Sequence, residues 1–157
     1  MCGEEEANPV REHVDHHDAE LLLRLYDMRR EEKLRLARAW FAREFRAESP
    51  EEFARKCPPG SEANAFFRMV VSYWEMAASI VNNGLIKQEF FFENTGEFFG
   101  VWEKVKPLIQ TTRENFKNPH LWKNLETLAA HYEEWMTKRA PEAIEAYRQR
   151  LGAMTKP

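Results

Sequence analysis

Cysteine is scarce in this chain. Cys2 and Cys57 are the two present in 157 residues, and they define no disulfide framework. Glycine is nearly as rare, six in all, and none sits in a Gly-rich loop of the kind that cradles phosphates or dinucleotides. No nucleophile elbow and no Cys/His pair is evident in the spacing, so no catalytic residue is assigned. Long apolar runs are missing too. The most apolar window, 66–81, contains Arg68 and Glu75, whereas a bilayer needs about 20 residues and penalises both charges. The start, MCGEEEANPV, has neither the basic nor the apolar region of a secretory signal. A net charge of −3 argues against a nucleic-acid binder, which needs a basic surface to displace counterions. The expectation is a cytoplasmic protein with no membrane span and no cofactor.

What is present is apolar and aromatic. Hydrophobic residues make up 43% of the chain and aromatics 13%, with 11 Phe and 5 Trp, enough for a core in one domain without staples. Apolar residues recur at helical spacing throughout, and no period-two alternation is long enough for a strand. The fold class predicted is all-α: a single-domain irregular bundle of about six or seven helices over 16–152, preceded by a flexible acidic and His-rich segment, 1–15.

Local signals place the elements. Asp15 or Asp18 can cap the first helix, and the polar run RREEK either kinks it or splits it in two. Ser49-Pro50-Glu51-Glu52 starts a short helix that ends before Pro58-Pro59-Gly60. Ser61 begins a central helix, and Gly84 is its left-handed C-terminal residue. A short helix carrying Phe90, Phe91 and Phe92 follows, then a long one kinked at Pro107. Asn118-Pro119 is read as the next start, and a last helix follows Pro141.

The central segment 64–83, NAFFRMVVSYWEMAASIVNN, is apolar almost all round, with one polar line of Arg68, Ser72, Glu75, Ser79 and Asn82. Spacings of four and three put these on one stripe. The stripe is a narrow solvent face, an internal hydrogen-bonded network, or a ligand or partner site that also uses Tyr73. The last option follows from polar groups set in an aromatic shell, the usual make-up of small-molecule pockets.

Two further constellations are weaker. His13, Asp15, His16, His17 and Asp18 offer metal-type ligands but lie in a polar segment with little to fix their geometry, so no metal site is assigned. His131 and Glu134 reverse the Glu-x-x-His order of di-iron bundles, and no second copy faces them. Arg29, Arg30, Lys33, Arg35 and Arg38 spread around their helix instead of forming one basic face.

The strings LLLRLYDMRREEKLRLARAWFAREF, SPEEF, FFRMVVSYWEMAASIVNNGLI, GEFFGVWEKVKPLI and NPHLWKN, in that order, resemble an uncharacterised bacterial family, domain of unknown function 4760. The resemblance covers residues 21–128 and implies an all-helical domain without assigned activity, so it transfers no functional residue. From the residues themselves the reading is a non-enzymatic protein-interaction domain that self-associates or binds a protein partner. Its motive is the surplus of Phe90, Phe91, Phe92, Phe98 and Phe99. The alternative is a small-molecule-binding protein or enzyme with a pocket beside the 64–83 helix.

Overall fold

Side-chain capping marks where the first four helices begin. The computed structural model describes residues 13–154. Most of the acidic segment, and Cys2 with it, lies outside that range. Among the described residues there are eight helices and no strand, one helix more than the upper expectation. Asp15 and Asp18 form a reciprocal capping box for α1, His16–Arg29. The polar run splits the chain instead of kinking it: the Glu31 carboxylate accepts from the amides of Lys33 and Leu34 and starts α2, Glu32–Arg43. Ser49 caps α3, Pro50–Lys56, and Ser61 caps α4, Glu62–Asn82. Gly84 follows with φ of +77°.

One boundary differs from expectation. Helix α5 is Gln88–Asn94, and α6 is Glu97–Phe116 with Pro107 inside it. After α6 the chain does not restart at Asn118-Pro119. It turns through 118–121, passes Trp122 in a left-handed conformation with φ of 56°, and begins α7, Lys123–Arg139. Helix α8, Ala143–Met154, completes the described chain.

Helix α4 is the axis, packed most extensively on α2 and α7. Two aromatic clusters meet it, one near its start and one at its middle. Phe41, Phe45, Phe53 and Trp122 surround Phe67. Two turns further on, Trp74 meets Phe98, which in turn contacts Phe91, Phe92 and Tyr132. Phe91, Phe92, Phe98 and Phe99 are all buried. Four of the five Phe that suggested a self-association surface are therefore interior to one chain, because α5 and α6 fold them inward against α7, and Phe90 is half-buried.

Helix α8 docks by a close approach. Gly100 on α6 faces Tyr147, and a Cβ built at Gly100 would stand 2.1 Å from the Tyr147 hydroxyl oxygen. Any side chain there would expel the ring from its contact with Phe99. The ends of α2 and α7 are completed from other helices. Lys104 of α6 donates to the carbonyls of Phe41, Ala42 and Phe45 at 2.8, 3.0 and 3.1 Å, in and just beyond the last turn of α2. Burial pushes its ammonium pKa down to about 8, Arg46 adding to the shift. No helix among the described residues is long and apolar enough to cross a membrane.

Candidate functional site

The polar line on α4 does not act as one stripe. Its second half turns inward. Glu75 is half-buried and accepts from the backbone amides of Asn124 and Leu125 at 3.1 and 2.7 Å. These are the second and third residues of α7, whose N-cap, Trp122, supplies no side-chain hydrogen bond. Asn82 donates to the Asn124 carbonyl at 3.0 Å. Ser79 is engaged locally, its carbonyl accepting from Asn83 at 2.8 Å. Tyr73 points to the other side of α4, where its buried hydroxyl donates to the Leu25 carbonyl. Burial pushes its pKa up to about 12, so it stays a neutral donor. Glu75, Asn82 and Tyr73 are thus joints between helices.

The first half of the line opens on a groove. Arg68 and Ser72 are exposed and line a depression of about 860 Å³ between α3, the turn after it, α4, the C-terminal half of α6 and the 117–122 connection. Its floor is Phe67, Val71 and Leu108, each 3% exposed or less. Phe53 and Trp122 form walls, their rings 4.7 and 5.8 Å from that of Phe67. The far wall is fixed by Arg113, which donates to the Leu121 carbonyl at 2.9 Å and pairs with Glu126 at 3.4 Å. Left-handed Lys117 ends α6 and turns the chain into that wall.

The polar groups at the groove divide by availability. Ser72 Oγ donates to the Arg68 carbonyl at 2.6 Å, Thr112 to the Leu108 carbonyl at 2.7 Å, and Asn64 to the Cys57 carbonyl at 3.0 Å. The Arg68 guanidinium makes no ion pair with any described residue, and Thr111 and Asn115 keep uncommitted side chains. No Asp, Glu, His or Cys lines the groove. The nearby Cys57 thiol is buried, which raises its pKa and disfavours the reactive thiolate. The lining thus sets an apolar floor beside a cationic, hydrogen-bond-donating edge. Among the described residues no carboxylate or imidazole lines the groove beside the Ser72, Thr111 and Thr112 hydroxyls.

The other candidates resolve as structural. Asp18 is fully buried; besides capping α1 it accepts from the Lys87 amide at 2.6 Å and so anchors the start of α5. His13, His16 and His17 are exposed, and no group of three His, Cys, Asp or Glu among the described residues is placed to share a metal ion. His131 meets Gln88 at 2.7 Å and Glu134 meets Lys138 at 3.2 Å, both on the surface.

Sequence reasoning marked Arg68 and Ser72 but missed the groove's other walls. The available signal was Leu108, Thr111, Thr112 and Asn115, one face of α6 at spacings of three and four that changes from apolar to polar toward its end. A family described as a domain of unknown function, DUF4760, matches residues 15–135. No curated protein and no solved structure matches the chain.

Proposed function

Because the chain belongs to the family of domain of unknown function 4760, which brings no activity with it, we propose its function from the groove: it binds a small amphipathic anion, an apolar chain ending in a carboxylate. The observation that carries this reading is a groove of about 860 Å³ with an apolar floor, no acidic lining residue and an unpaired Arg68 at its edge. That volume is in the range of small-molecule sites. The tail lies on Phe67, Val71 and Leu108, where each buried methylene contributes about 0.8 kcal/mol. The head meets Arg68, and because this arginine is exposed the pair adds only about 0.2–1 kcal/mol. Affinity therefore comes from the tail, and Arg68 sets a modest preference for anions.

Decanoate and decanol separate the two contributions. Decanoate, kept below its micellar threshold, is expected to raise the melting temperature by mass action and to titrate in calorimetry. Ser72→Trp, which fills the groove from an exposed position, abolishes binding of both. Arg68→Gln weakens decanoate about threefold and leaves decanol unchanged. If decanoate produces neither heat nor thermal shift, or binds Ser72→Trp as well as the parent, the reading is wrong.

Self-association is a second reading with its own support, now from α1. Leu23 and Tyr26, three residues apart on α1 and lining one surface depression, are 63% and 46% exposed, and exposed apolar surface of this kind marks contact sites. Light scattering is expected to show a mass that rises with concentration, and Leu23→Glu to abolish the rise. A constant monomer mass removes this reading and leaves the groove untouched.

A further inference from the structure

On the other side of α4, a second cavity of about 250 Å³ lies between α1, α4 and α5. Trp74 lines it and is 1% exposed, yet its indole Nε1 is buried with no hydrogen-bond acceptor among the described residues. Buried indole N–H groups ordinarily find an acceptor, because water is given up on burial and must be replaced. Arg29 lines the same cavity. Its Cζ lies 4.7 Å from the Tyr26 ring centroid and 5.9 Å from that of Trp74, which sets the guanidinium beside the indole.

The charge around Arg29 is not balanced. Its acidic neighbour Glu97 stands 3.7 Å away, beyond hydrogen-bond distance. Arg38 holds that carboxylate instead, with contacts of 2.6, 3.0 and 3.2 Å. Arg29 and Arg38 against Glu97 leave one positive charge over. The rest of the lining is mostly apolar, with Leu22, Leu25 and Phe91 among it; Tyr73 and Asn94 are engaged with the carbonyls of Leu25 and Phe90, and the Thr95 hydroxyl is uncommitted.

We propose that this cavity is a binding site for a small aromatic carboxylate, whose carboxylate accepts from Trp74 Nε1 and Arg29 while its ring packs on Leu22, Leu25 and Phe91. The buried donor needs an acceptor, the surplus guanidinium makes that acceptor an anion, and the small apolar chamber admits about one ring. A water molecule would satisfy the indole but would leave Glu97 as the one carboxylate shared by Arg29 and Arg38.

The test is a titration of ¹⁵N-labelled full-length protein with phenylacetate, read at the indole N–H resonances of its five tryptophans. One resonance is expected to move downfield and saturate, the one missing in Trp74→Phe. Phenylacetamide, which lacks the charge, binds at least tenfold more weakly, and Arg29→Gln removes that difference. Binding persists in Ser72→Trp, which separates this site from the groove. The proposal is overturned if no indole resonance responds to phenylacetate, the outcome expected of a cavity that holds water alone. It is also overturned if the amide binds as well as the acid, or if Arg29→Gln keeps the full preference. The parent titration and the Arg29 variant stand even if Trp74→Phe fails to fold.

Discussion

Replacing Phe98 by Ala is expected to remove about 4 kcal/mol of folding stability, near the upper end of single core deletions. The ring is fully buried and sits among aromatic rings from three other helices: Trp74 of α4, Phe91 and Phe92 of α5 and Tyr132 of α7, with centroids 5.2 to 6.4 Å away. Planar rings on separate rigid helices cannot close over the vacancy, so both the lost transfer energy and the cavity remain. Since small domains have about 5–15 kcal/mol in total, this one change takes a large share of it. Phe116→Ala is the natural contrast, because Phe116 is 72% exposed and its loss should fall within about 0.5 kcal/mol. Urea unfolding of the two variants checks both. A loss below about 1 kcal/mol for Phe98→Ala would mean that the neighbouring rings do repack.

Glu75→Ala is expected to cost about 2 kcal/mol, the upper part of the range for a lost helix cap and typical of hydrogen bonds to a charged group. Its two oxygens serve two amides in the first turn of α7, and the residue at the cap position provides nothing in their place. Removing the carboxylate strands both amides and takes a negative charge from the positive end of a helix dipole. Glu75→Gln keeps one acceptor and should recover about half the loss. Hydrogen exchange gives a local readout, since amides 124 and 125 should exchange faster in the alanine variant while those in α2 change only with global stability. Equal acceleration in both helices would show that Glu75 acts on the whole fold instead of on this cap.

Local physics was legible in the sequence wherever a segment satisfies its own ends. Asp15, Ser49 and Ser61 cap the helices that follow them, and Gly84 takes the left-handed turn after α4, because these depend on neighbours a few residues apart. The start of α7 was not legible. Asn118-Pro119 carries a good local start signal, but the start used is at Lys123, finished by a glutamate about 50 residues earlier in the chain. The polar line of α4 failed for the same reason. Arg68, Ser72, Glu75 and Ser79 share a helical face, yet what lies opposite each changes along that face. Arg68 and Ser72 look onto a depression made by α3 and the end of α6, whereas Glu75 meets the start of α7. A single helix cannot report which neighbour it will acquire. The Phe run beginning at Phe90 was legible as apolar but not as interior, since its burial depends on how α5 and α6 pack against α7.

The Lys104 contact has a consequence for how the molecule comes apart. The carbonyls at and beyond the end of α2 are held by an ammonium from a helix about 60 residues later in the chain. Helix α2 can nucleate alone as the chain emerges, but its last turn has no permanent finish until α6 arrives. Fraying of that end and departure of α6 are therefore coupled. Closing a helix end with a distant partner favours cooperative unfolding over peeling from one terminus.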